Sequence, residues 1–141
     1  MWQALEMVIR LVKPGGLLML AIYNDQGPIS RRWKLVKQTF NAGPIGRAVV
    51  VSTFVPYFAV RGVVADLVRL RNPSTRYREY RRSRGMSMRH DWMDWLGGYP
   101  FEVATPEAIF DFYRARGFAL EKLKTCGGGL GCNEFVFTRT R

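Results

Sequence analysis

Apolar residues recur along the chain in two rhythms. Leu5, Val8, Ile9 and Val12 fall at the i, i+3, i+4, i+7 positions of one helical face, which predicts a helix over residues 1–12. Lys13 suits its carboxyl end, and Pro14-Gly15-Gly16 stops it and turns the chain. Leu17 to Tyr23 then runs without a polar break, the pattern of a strand buried on both faces. Helix, tight turn and buried strand form the second half of a βαβ unit. Asn24 to Pro28 reads as a polar loop leaving that strand. Ser30 is positioned to cap a helix over about 31–41 containing Trp33, Leu35, Val36 and Phe40.

Residues 44–84 are helix-like but punctuated by Pro44, Pro56 and Pro73. Val60, Val63, Val64, Leu67, Val68 and Leu70 supply an apolar face there. Thr105-Pro106-Glu107 is a strong helix start, with a capping hydroxyl, proline at the first position and an acid in the first turn. Ile109, Phe110, Phe112 and Tyr113 give the packing face, and Gly117 ends the helix. Phe118 to Thr125 and Asn133 to Thr138 read as strands of a hairpin joined through Gly127–Gly131.

Composition sharpens this picture. The 141 residues are 48% hydrophobic and 13% aromatic, enough for one domain with a packed core and against disorder throughout. The net charge of +11 points to an anionic partner. Two cysteines exclude a disulfide scaffold, and the amino terminus lacks the pattern of a signal peptide, so a cytoplasmic location is expected, with a peripheral membrane association as an option. Ala48 to Val60 carries no charge, but thirteen residues containing Ser52, Thr53 and Pro56 fall short of the about 20 needed to span a bilayer. From Arg69 to Arg89 there are eight arginines and one acid, Glu79. Such a run suits a solvated helix face, an anionic membrane surface beside the apolar 48–70 segment, or a nucleic acid, with Tyr77 and Tyr80 interleaving Arg76, Arg78, Arg81 and Arg82. No RNA-binding signature accompanies it, which ranks nucleic acid last.

Leu11-Val12-Lys13-Pro14-Gly15-Gly16-Leu17-Leu18-Met19-Leu20 resembles the helix-to-strand corner before the fifth sheet strand of class I S-adenosylmethionine (SAM)-dependent methyltransferases. Tyr23-Asn24-Asp25-Gln26-Gly27 with Ser30, Trp33 and Lys37, and Arg84-Gly85-Met86-Ser87 with His90-Asp91-Trp92-Met93-Asp94-Trp95-Leu96-Gly97-Gly98-Tyr99-Pro100-Phe101-Glu102, resemble blocks of a narrower bacterial methyltransferase-domain group. Phe118 to Leu123 and Asn133 to Phe137 resemble the last two strands. The resemblance covers nearly all of the chain. It implies an α/β fold: the carboxyl-terminal half of a Rossmann-like sheet, one parallel strand plus a terminal antiparallel hairpin, with a helical insert. It implies three parts: helix and core strand at 1–27, a basic helical insert at 28–98 as an acceptor lid, and the final helix and hairpin at 99–141. It also implies SAM as cofactor, a small-molecule or lipid-linked acceptor methylated on oxygen or nitrogen, and a preceding half carrying the main SAM loop.

Several residues become candidates. Tyr23, Asn24 and Asp25 follow the buried strand, at the sheet edge where ligands bind in open α/β folds; the alternative is an Asx turn with a charged tip. His90, the sole histidine, beside Asp91 suits a general base that deprotonates the acceptor; the alternative is an exposed histidine and helix-capping acids. Asp94, Trp95 and Tyr99, with Trp92 and Phe101, suit an acceptor pocket or simple packing. One histidine with two acids is too sparse for a metal. Gly127, Gly129 and Gly131 mimic a GxGxG loop, but the strand-like residues that follow favour a hairpin connection. Cys126 and Cys132 flank that loop and are expected as thiols. A non-catalytic basic module, binding an anionic membrane surface or RNA, is the alternative to the enzyme.

Overall fold

The computed structural model describes residues 1–140, with the side chains of Tyr77, Arg81 and Arg84 outside the description. The side chains of Tyr77, Arg81 and Arg84 in the basic run therefore lie outside the description. The protein is α/β and falls into two compact units, Met1–Arg31 with Glu102–Arg141, and Arg32–Phe101.

The first unit is built on a four-stranded mixed sheet. Its strands are β1 (Leu17–Asn24), β2 (Val103–Ala104), β3 (Phe118–Lys124) and β4 (Cys132–Arg139), in the order β2-β1-β4-β3. The β1–β2 pair is parallel and short, joining Tyr23 to Val103 and Asn24 to Ala104. The β1–β4 and β3–β4 pairs are antiparallel, the former running from Leu17 opposite Thr138 to Tyr23 opposite Cys132. A register shift between Leu120 and Lys122 explains the broken alternation of β3.

Helices α1 (Trp2–Ile9) and α6 (Pro106–Arg114) belong to this unit. Leu5, Leu18, Ile109, Tyr113, Phe118, Phe135 and Phe137 form its core. Thr105 caps α6 as its sequence demands, its hydroxyl accepting from the Ala108 amide at 3.3 Å. Glycine is required at the Pro14-Gly15-Gly16 corner: Gly15 takes φ +77°, and its amide donates to the Arg139 carbonyl at 2.7 Å. The end of α1 is satisfied by Arg139 rather than Lys13; its guanidinium donates to the carbonyls of Ile9 and Val12 at 3.0 and 2.6 Å.

Three expectations are corrected here. The first helix stops at Ile9 rather than Val12, because the chain turns early toward Gly15. Strand β1 is covered on one face only. Leu18 is buried, but Leu17 and Met19 are 68% and 71% exposed and Tyr23 is 43% exposed. An unbroken apolar run specifies two apolar faces; it does not supply the element that covers the second. Ser30 is not a cap. It lies inside α2 (Pro28–Asn41), buried, where its hydroxyl accepts from the Gln26 amide at 2.8 Å. Pro28 starts that helix because a proline without an amide hydrogen costs nothing in the first turn.

The second unit is helical, with most of α2, α3 (Pro44–Val68), α4 (Pro73–Arg84) and α5 (Met88–Gly97). Phe40, Val50 and Leu96 are its buried centre, ringed by Trp33, Phe54, Phe58, Met93 and Trp95. Pro44 and Pro73 open helices, but Pro56 interrupts nothing: α3 runs through it for 25 residues. An interior proline costs about 3 kcal/mol. The packing of Phe54, Val55 and Phe58 on either side offsets that cost. The apolar face at Val60, Val64, Leu67 and Val68 is bare rather than packed, each residue more than half exposed. Helix α5 was hidden in an aromatic, glycine-rich segment; Ser87 starts it by accepting from the His90 amide.

Phe135→Ala is expected to destabilise the first unit by about 3–5 kcal/mol in chemical denaturation. Met19→Gln, on the open face, should change stability by less than about 0.5 kcal/mol. A large loss for Met19→Gln would mean that the face is covered.

Candidate functional site

The carboxyl end of β1 gathers a polar network. The Asn24 amide donates to the Gly131 carbonyl at 2.9 Å, and the Asp25 amide donates to Ala104 at 3.2 Å. Asp25 forms an Asx turn, its Oδ1 accepting from the Gly27 amide at 2.8 Å, and Gly27 takes φ +58°. The residue itself is exposed. Gln26 donates through Nε2 to the Gly128 carbonyl.

Asn133 ties this end together. It is 1% exposed, donates through Nδ2 to Asn24 Oδ1 at 3.1 Å, and accepts at Oδ1 from the Cys126 amide at 3.1 Å. In the sequence Asn133 reads only as the first residue of a strand. A signal was present: a polar residue in register with the apolar Phe135 and Phe137 must face the core and find partners.

The glycine loop connects two antiparallel strands, β3 and β4, with Gly127 and Gly128 at φ +68° and +78°. A strand follows it, not a helix, so it does not have the geometry of a dinucleotide-type loop. Both cysteines are free thiols. Burial, aided by the neighbouring Cys126, pushes the Cys132 thiol pKa up. Cys132 is therefore a poor nucleophile.

The remaining candidates lie in the helical unit, so the structure assembles two sets. His90 is exposed, and its Nδ1 sits 2.6 Å from the Ser87 hydroxyl. The Asp91 carboxylate accepts from the Tyr80 hydroxyl. Trp95 packs edge-on to Trp33 at 4.2 Å between centroids and at 5.7 Å from Phe58, and Trp92 lies 5.8 Å from Phe58. These indoles are part of the packed cluster. The exposed Tyr99 accepts at its hydroxyl from Gln38 Nε2 at 3.2 Å.

Lys37 was read only as part of a motif, yet it is 4% exposed. Its ammonium donates to the Trp95 carbonyl and lies 5.1 and 5.2 Å from the ring centres of Trp95 and Phe101. Burial lowers its pKa, opposed by the Asp94 carboxylate, which raises it. Asp94 is exposed and serves here as the counter-charge of a buried cation.

A cleft of about 540 Å³ opens between α3 and α4, lined by Asp66, Arg71, Thr75, Arg76, Glu79 and Tyr80 among others. The buried Asp66 takes a bidentate pair from Arg76, with Nε and Nη2 at 2.5 and 2.7 Å. That hydrogen bonding, with the nearby charges of Arg76, Arg71 and Arg69, holds the Asp66 carboxyl below the usual value. No group of three or more metal-ligating side chains occurs among the described residues. No family model, no curated protein and no solved structure matches the chain.

Two expectations follow. Asn133→Ala strands the Cys126 amide and Asn24 Oδ1, at a cost of about 1–3 kcal/mol in denaturant unfolding. Two groups with shifted pKa values among the described residues of the helical unit contribute to its pH profile. Asp66 stabilises it above the ordinary carboxyl pKa, and that stability is lost as pH falls through its lowered value. Lys37, lowered by burial, makes stability rise as pH climbs from its lowered pKa toward the unfolded lysine value. Asp66→Asn should remove the acid limb and Lys37→Met the alkaline one, both read by circular dichroism melts across pH.

Proposed function

We propose that this chain forms the acceptor-side part of a SAM-dependent methyltransferase acting on a small-molecule or lipid-linked acceptor. The observation that carries the reading is the strand arrangement β1-β4-β3. A strand followed in the sheet by two antiparallel neighbours in swapped sequence order is the arrangement expected of the last three strands of the class I sheet. The polar end of β1, with Asn24 and Asp25, then stands at the edge where ligands bind in such sheets. The motif resemblance at Tyr23 to Gly27 and His90 to Glu102 adds to it.

The cofactor is a separate matter. The glycine loop runs from strand to strand and offers no helix amino terminus, so this loop is not assigned the role of the main SAM loop. What this chain offers an acceptor is simpler. Asn24 and Asp25 present an amide and a carboxylate to a polar group. Separately, in the helical unit, the exposed imidazole of His90 offers a general base for a hydroxyl or amine.

The test is methyl transfer from tritiated SAM, using this reading frame expressed together with the coding sequence immediately upstream of it. Label should enter the lipid or small-molecule fraction of a cell extract. His90→Gln should lower the rate by roughly a hundredfold or more, as loss of a general base does. Asp25→Asn should raise KM with less effect on kcat. No transfer by that longer product would sink the reading.

A further inference from the structure

Helix α3 is apolar on two opposite sides. Its inner side, with Val50, Phe54 and Phe58, packs into the aromatic cluster of the helical unit. Its outer side carries Ile45, Val49, Pro56, Val60, Val64 and Leu67, which succeed one another at intervals of three, four or seven residues and so fall on one line along the helix. All six are exposed, Ile45 by 80%, Val60 by 63% and Leu67 by 57%. At 1.5 Å per residue this line is about 33 Å long. By length and composition α3 could cross a membrane, and only 6% of its most apolar stretch is buried. Ser52 and Thr53, the polar residues beside the line, turn their hydroxyls back onto the Val49 carbonyl at 3.1 and 2.8 Å.

The charge changes at the carboxyl end of this helix. Arg61, Arg69, Arg71, Arg78 and Arg82 are exposed, against the single acid Glu79 in the run from Arg69 to Arg89. Helix α4 folds back along α3: Arg76 pairs with Asp66 and passes within 3.7 Å of the Cβ position of Gly62. The arginine run is therefore level with the last turns of α3 along the helix axis.

We infer that the helical unit docks on an anionic membrane surface. The outer line of α3 enters the boundary between headgroups and acyl chains, and the arginines of the α3–α4 corner take lipid phosphates. A bare apolar line on a helical unit that also exposes guanidinium groups at the end of the same helix matches that one environment on both counts. A nucleic acid would answer the arginines and leave the apolar line in water. The helix lies on the surface rather than crossing it, since its inner side is held by Phe40, Leu96 and Trp33 and it carries the buried Asp66. The inference rests on α3 and α4 and not on methyl transfer.

Co-sedimentation of the full chain with vesicles tests it. The vesicles are phosphatidylcholine alone or phosphatidylcholine with phosphatidylglycerol, and Tyr57→Trp serves as a reporter at an exposed position of α3. Binding should need the acidic lipid and weaken as salt rises from about 0.1 M to 1 M. The added tryptophan should be quenched by brominated acyl chains beyond the quenching of the parent chain. The triple change Arg71→Gln, Arg78→Gln and Arg82→Gln should lower partitioning about a hundredfold, near fivefold per arginine. Val60→Asn with Val64→Asn should weaken it with helix content unchanged. Absent binding, equal binding to neutral vesicles, no gain in quenching, or RNA binding that the valine changes leave untouched while vesicles fail to bind would each overturn the inference.

Discussion

The antiparallel pairing of β1 with β4 is the constraint on which the first unit depends. It joins Leu17–Tyr23 to Cys132–Thr138, segments near opposite ends of the chain, and so closes a long loop, whereas the β3–β4 hairpin is local. Once it is made, Leu18 faces Phe137 and Leu20 faces Phe135, giving α1 and α6 an apolar surface to cover. The same register sets Asn133 opposite Ile22, which lets its amide reach Asn24 and the Cys126 backbone. The polar end of β1 is thus a by-product of strand register. A slip of one residue would turn Asn133 outward and the phenylalanines with it.

The helical unit is organised by two buried ionic groups rather than by a sheet. Lys37 holds α2 to the end of α5 through the Trp95 carbonyl and two aromatic faces, with Asp94 as its counter-charge. Asp66 holds α4 to α3 through Arg76. Both are satisfied, and among the described residues no buried side-chain polar atom lacks a partner. Buried charges of this kind fix geometry more than they add stability, because desolvation opposes the attraction. They specify which helix faces pack, in a segment where α3 is apolar on two opposite sides and would accept a partner on either.

Sequence made the punctuation legible and left the surroundings hidden. The Pro14-Gly15-Gly16 corner, the Thr105-Pro106 helix start and the final hairpin are local, and their chemistry is complete within a few residues. One-sided burial of β1 is not local, since the same run of Leu17 to Tyr23 serves a strand covered on one face or on two. Pro56 misled because its cost is local while the compensating contacts of Phe54 and Phe58 are tertiary. Among the candidates, Asp25 takes the Asx turn with a charged tip that was weighed beside ligand contact. Lys37 and Asn133 escaped notice because the burial of a polar residue is decided by distant partners.

The two edges of the sheet are unlike. Strand β3 borders one side with Glu121, Lys122 and Lys124 and a register shift, all features that discourage a further strand. On the other side β2 covers only the last two residues of β1, and Leu17 to Ile22 carry no charge. Their outward backbone groups meet no strand among the described residues. The sheet therefore has a polarity of growth: it is sealed against addition at β3 and receptive at β1, where an incoming strand would find a ladder of waiting amides and carbonyls and an apolar shelf made by Leu17, Met19 and Tyr23.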